Sequence, residues 1–220
     1  MQQPNKKKVV LLHGLYCNGW IMAFLAYQLR KRGYLVISPS YPTVKQWIGD
    51  GAKELEQKVR SFKAADPVYF VGHSMGGLML RYLREFFPDL FVESRVVTLG
   101  TPHRGSQFAQ TIQGYFPWML GSSWERSLNG EVPLWDGEIP LLSIAGTMSN
   151  IENLLLRVFP KGEKNDSLVA LVETQMPQFR ATKSIHLSHL PLCFSQQVVE
   201  WIDNWFQGIE TDFDLVGPMQ

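Results

Sequence analysis

Two cysteines in 220 residues, a net charge of +1 and the lack of any long apolar run set the first limits on this chain. Cys17 and Cys193 are too few for a disulfide framework, and both read as inert thiols. No Cys/His cluster has metal-ligand spacing, and no cofactor is implied. The near-neutral charge argues against nucleic acid or an anionic membrane surface as a charge-driven partner. Lys6, Lys7 and Lys8 form the one basic run, read as a solvated lead-in to a strand. The apolar residues Val9–Leu12 are too few for a signal-peptide core, and nothing is long enough to span a bilayer. The expectation is a cytoplasmic protein with no stable membrane insertion. No repeat, low-complexity tract or linker interrupts it, so 1–220 reads as one domain.

What is present is more telling. Apolar residues make up 45% and charged residues 19%, ordinary for a soluble globular chain. Within that background, Val68-Tyr69-Phe70-Val71 leads straight into Gly72-His73-Ser74-Met75-Gly76-Gly77, and a helical pattern follows. This is G-x-S-x-G in the context that gives it meaning, a strand, a tight turn and a helix. Glycines two before and two after Ser74 leave room for a turn that would hold its hydroxyl at the carboxyl edge of a sheet.

Short apolar runs alternate with helical periodicity along the rest of the chain. Strands are expected at Lys8–Leu12, Tyr34–Ser38, Val68–Gly72, Arg95–Leu99, Pro140–Ala145 and Lys183–Leu187. They are continuously apolar rather than alternating, as parallel strands covered on both faces should be. Ile48, Ala52, Leu55, Val59 and Phe62 fall on one helix face, as do Val198, Val199, Ile202, Trp205 and Phe206. Asn18 is placed to N-cap a helix over Trp20–Arg30, ended by Gly33. Such alternation implies right-handed crossovers and a three-layer α/β/α sandwich on a parallel sheet, with ligands at the carboxyl ends of the strands. The segment 107–138 departs from the pattern, with Tyr115, Phe116, Trp118, Met119, Leu120, Trp124 and Trp135 among Gly and Pro. It reads either as a loop-rich connection packed on the core or as a small lid-like wall beside the site.

A serine hydroxyl needs a base to take its proton and a third group to orient that base. In this motif's context the acid and then the histidine follow the serine in the chain. His13 and His73 precede Ser74, and His103 follows the fourth strand directly. His186 falls inside the last expected strand, pointing into a packed layer, so His189, on the turn beyond it, is the expected base. Asp166 is the expected acid, following the fifth strand after an insertion. Glu163 is its nearest rival, while Asp136 and Glu138 fall before that strand. An oxyanion needs preorganised donors, here the N–H of Met75 at the helix start and of Leu15 in the loop His13-Gly14-Leu15-Tyr16. His13 is expected to shape that loop. Tyr16, His73 and Trp118 are the expected substrate contacts. Gly100-Thr101-Pro102-His103-Arg104-Gly105-Ser106 borders the same edge, with Ser106 able to cap the next helix.

With His-Gly-Leu, Gly-His-Ser-Met-Gly-Gly and Gly-Thr-Pro-His-Arg-Gly-Ser in place, the chain resembles the α/β-hydrolase family, in its lipase and esterase branch, from about Lys8 to Phe206. The resemblance implies Ser74, Asp166 and His189 as triad and Leu15 with Met75 as oxyanion hole. Three departures stand out. The family's two leading antiparallel strands have no room before Lys8, so the sheet is expected to have six parallel strands in the order 2-1-3-4-5-6. No full cap domain fits between Arg104 and Pro140, and the tail from Gly208 to Gln220 matches nothing. The expected function is hydrolysis of a small acyl or lipid ester through an acyl-enzyme on Ser74. Acyl transfer or thioester hydrolysis on the same triad is the alternative, and a non-catalytic binding protein on this scaffold the third reading.

Overall fold

A computed structural model describes residues 7–149 and 158–216 of the chain; Lys6 of the basic run lies outside them. In chain order the main elements are β1 (Lys8–Leu12), α1 (Ala23–Lys31), β2 (Leu35–Ile37), α2 (Ile48–Lys63), β3 (Val68–His73), α3 (Met75–Phe86) and β4 (Val96–Leu99). There follow α4 (Gln107–Tyr115), α5 (Pro117–Leu120), β5 (Leu141–Gly146), β6 (Ala181–Ile185), α6 (Gln196–Gln207) and β7 (Asp214–Leu215). The strands form one sheet in the order β2-β1-β3-β4-β5-β6-β7.

Every pairing from β2 to β6 is parallel, with registers such as Val10↔Phe70 and Val71↔Val97. Successive strand residues point to opposite faces, and both faces are covered. Val10, Leu12 and Phe70 pack with Ile48, Leu55 and Val59 of α2 and Leu78 and Met79 of α3. Val9, Leu11 and Val71 pack on the other side with Leu25 and Leu29 of α1 and Val198, Ile202 and Trp205 of α6. Each fully buried Leu, Val or Phe contributes about 1.5–3 kcal/mol, so the two layers dominate the stability of the sheet. The three-layer sandwich follows from this double burial.

The structure corrects the sequence reading at several places. The sheet has a seventh strand, β7, taken from the tail that matched nothing and paired antiparallel to β6 through Ala181↔Leu215 and Thr182↔Asp214. The sixth strand begins and ends two residues earlier than Lys183–Leu187. Its ladder with β5 stops at Gly146↔Ile185, after which the Leu187 N–H turns back to the Ile185 carbonyl. His186 is therefore exposed just past the strand, not packed within it. The second strand shrinks from Tyr34–Ser38 to the three residues of β2. The helix expected over Trp20–Arg30 opens instead with a 3₁₀ turn at Gly19–Met22, whose Trp20 N–H donates to Asn18 Oδ1, before α1 begins. The segment 107–138 holds more helix than its composition suggested, because Ser106 caps α4 by accepting from the Ala109 N–H.

Candidate active site

β3 and α3 meet at Ser74, whose φ of 54° and ψ of −125° lie in a region few side chains adopt. The turn is anchored on both sides: the Ser74 N–H donates to Leu99 O at 2.8 Å, and Ser74 O accepts from Thr101 Oγ1 at 2.9 Å and the Gly77 N–H at 3.0 Å. Gly76 is required by close approach, since a Cβ there would lie 2.3 Å from Leu12 O at the end of β1. Gly14, in the loop after β1, is equally constrained, because its Cβ would lie 2.9 Å from Ser74 Cβ. The Leu15 loop thus runs directly beside the serine. Met75 opens α3, where the first N–H groups have no acceptor inside the helix.

His13 shapes that loop. Its Nδ1–H donates to Gly14 O at 3.0 Å, leaving Nε2 to accept from the Tyr41 N–H at 3.3 Å. Tyr41 stacks on the imidazole at 4.2 Å and its hydroxyl donates to His13 O. Burial lowers the pKa of His13, so the ring is neutral.

His189 follows β6 and Asp166 precedes it by 23 positions, yet they meet. His189 Nδ1 lies 2.7 Å from Asp166 Oδ2, and the two residues are 5% and 0% exposed. The other carboxylate oxygen, Oδ1, accepts from the N–H groups of Leu168 at 3.0 Å and Val169 at 2.8 Å. The His189 N–H donates to Asp166 O at 2.9 Å, so backbone as well as side chain fixes the pair. With Nδ1 engaged by the carboxylate, Nε2 is the nitrogen left for chemistry. Glu163, the rival acid, accepts from Gln107 Nε2 at 3.5 Å, and Asp136 and Glu138 both hold Arg84 of α3, at 2.7 and 2.8 Å.

Ser74, His73, His189, Gly14, Leu15 and Tyr16 all line one cavity of about 430 Å³. Phe108, Ala109, Ile112, Met119, Leu120 and Leu128 form its wall, and Leu168, Val169 and Leu190 close the side nearest the acid. No Asp, Glu, Lys or Arg among the described residues lines it. The segment 107–138 is thus both of the things its sequence suggested: Leu128 and Trp135 are buried in the core while its helices wall the cavity. Trp118 does not take part in that wall; its indole is 77% exposed, and Met119 beside it faces inward instead. Tyr16 is also largely exposed, with its hydroxyl donating to Met119 O across the cavity mouth. His73 is buried against His189, with ring centroids 4.7 Å apart, and its Nε2 lies 3.3 Å from His189 O. Burial, with His189 alongside, pushes its pKa down to about 3, so it stays neutral. Cys17 lines the cavity as a free thiol with its pKa raised by burial, and Cys193 is buried near Met22.

A sequence model described as the alpha/beta hydrolase family matches residues 9–200. The chain belongs to the alpha/beta hydrolase family. The chain is similar over 57 residues, at 44% identity, to triacylglycerol lipases of Pseudarthrobacter phenanthrenivorans and Burkholderia plantarii. That match covers 26% of this chain and only 17% and 15% of those proteins. Among solved structures, the mature form of the Bacillus licheniformis lipase BlEst2 superposes with a TM-score of 0.72 over 93% of this chain and 94% of that chain, at 18% identity. The metagenomic carboxyl esterase MGS0156 gives 0.66 over 92% and 76%, at 17% identity. At such identities the likeness is one of fold.

Several residues that support this site were silent in the sequence. Thr101 holds the serine turn, Tyr41 and Thr43 brace the Leu15 loop, and Glu173 ties the acid loop to α4. None sits in a pattern of its own, and only Thr101 falls inside a recognised motif.

Proposed function

We propose that this hydrolase cleaves carboxylic esters through an acyl-enzyme on Ser74, with His189 as general base and acid and Asp166 orienting it. The observation that carries the reading is the buried 2.7 Å contact between His189 Nδ1 and Asp166 Oδ2 on the wall of the cavity that Ser74 also lines. In this reading His189 Nε2 takes the proton of Ser74 Oγ as Oγ bonds to the ester carbonyl carbon. The carbonyl electrons move onto oxygen, where the N–H groups of Met75 and Leu15 receive the charge. His189 then returns the proton to the departing alcohol, and water repeats the sequence to free the acid. Asp166 stabilises the imidazolium at each stage. The apolar, uncharged cavity favours a low-charge acyl chain, since an ion placed there would be desolvated without a partner.

The test is Ser74→Ala assayed on p-nitrophenyl esters together with labelling by a fluorophosphonate. Loss of both turnover and labelling is expected; a variant that still turns over ester at the wild-type rate rejects the mechanism.

A further inference from the structure

The residue before the serine, His73, stands between His189 and the Leu15 loop. It ends β3, is 1% exposed, and its ring centroid lies 4.7 Å from that of His189. Its tautomer follows from its neighbours. The His189 carbonyl, 3.3 Å from Nε2, can only accept, so Nε2 carries the proton and donates to it. Nδ1 is buried and has no hydrogen-bond partner among the described residues. A second proton there would leave a buried cation with an idle donor, so Nδ1 keeps a bare lone pair. A Cβ on Gly14 would lie 3.3 Å from that nitrogen, so the ring packs directly against the loop of Leu15.

His189 is thereby held by its backbone on both sides. Its N–H donates to Asp166 O at 2.9 Å, and its C=O accepts from His73. Asp166 orients the imidazole through Nδ1, and Gly100 after β4 leaves room for that contact. A Cβ on Gly100 would lie 2.9 Å from Asp166 Oδ2 and 3.0 Å from His189 Nδ1. None of these contacts is made by Nε2, so its place relative to Ser74 depends on where the backbone of His189 is held. His73 is the next residue to Ser74, so its hydrogen bond joins the turn of the nucleophile to the loop of the base. An uncharged ring suits this position, because a cation so close to His189 would oppose the imidazolium formed by proton transfer. Burial, with His189 and His13 alongside, keeps it uncharged.

We propose that His73 is a positioning residue, which through its Nε2–H bond to His189 O holds the base in register with Ser74 and makes no hydrogen bond to substrate. This rests on the reading of Ser74 and His189 as nucleophile and base. A small displacement of a base costs far more in rate than in substrate affinity, because only the transition state needs its exact reach.

The experiment measures kcat and KM on a soluble p-nitrophenyl ester for the full chain as wild type, His73→Gln, His73→Asn and His73→Leu, with urea unfolding of each to show that it is folded. Glutamine carries an amide N–H at the reach of Nε2, asparagine at the reach of Nδ1, and leucine none. We expect kcat to fall about tenfold or more in His73→Leu and His73→Asn, with KM within about threefold of wild type. His73→Gln should recover most of that loss. Equal losses in all three variants, a His73→Leu with wild-type kcat, or a change confined to KM each overturn the positioning role while leaving the hydrolase reading intact. If His73→Leu does not fold, the contrast of glutamine with asparagine decides. If wild type cleaves no ester and Ser74 takes no fluorophosphonate, the hydrolase reading fails and the positioning role with it.

Discussion

At the residue scale, the proposed chemistry depends on three side chains whose positions have different origins. Ser74 is held by its local turn, and the glycines of the motif announce that turn in the sequence. His189 and Asp166 depend on each other: the imidazole is oriented by Oδ2, and the carboxylate is oriented by two N–H donors to Oδ1. Asp166→Asn keeps the shape but offers an amide, which can present an N–H to Nδ1 and favour the wrong tautomer. In the proposed mechanism kcat should drop on the order of 10⁴-fold with little change in KM. Steady-state kinetics on a soluble ester check this; a loss of less than tenfold would show that Asp166 does not serve the histidine. Tyr16 and Trp118 illustrate the limit of reading single residues. Both are aromatics beside the motifs, but only Tyr16 lines the cavity.

At the element scale, the segment between β4 and β5 has to be secured to the sheet before its helices can wall a cavity. Arg81 of α3 does much of this from a position only 2% exposed. Its guanidinium donates to Pro133 O at 2.5 Å, His103 O at 2.7 Å and Val132 O at 3.5 Å. Burial lowers its pKa to about 10, which still leaves it charged near neutrality. Arg81→Met removes the donors and leaves buried carbonyls unpaired, so a loss of roughly 3 kcal/mol is expected. Urea unfolding measures it, and a loss below about 1 kcal/mol would mean the carbonyls find water or other donors. Glu173 plays the corresponding part on the acid side, linking Ala170 to the first turn of α4.

At the scale of the whole molecule, buried titratable groups set the response to pH. Burial depresses the pKa of His13, His73 and His103 below the ordinary 6.5. A depressed histidine supports folding fully above 6.5 and withdraws that support as pH falls, by up to about 1.4 kcal/mol per unit for each ring. Glu173 works the other way. Its carboxyl, raised from 4.5 to about 7, withdraws stability as pH rises through that window. Unfolding free energy should therefore decline from pH 6.5 to 5, and Glu173→Gln should steepen the decline by about 1.4 kcal/mol per unit. Denaturant titrations at both pH values decide it; a stability that holds or rises toward pH 5 contradicts the burial argument. Much of this molecule was legible beforehand. The positions of the first six strands and the turn at Ser74 follow from local patterns, because apolar runs and glycines are local properties, while the strand order came from the family resemblance. The antiparallel β7 was not legible, since two exposed residues, Asp214 and Leu215, are too short a stretch to show an apolar run or alternation, and they pair at the edge that β6 leaves open. By itself the sequence determined the fold class and the tight turn at Ser74. Only the tertiary structure decided which carboxylate meets the imidazole and which aromatic faces the cavity, because these are matters of distance between residues far apart in the chain.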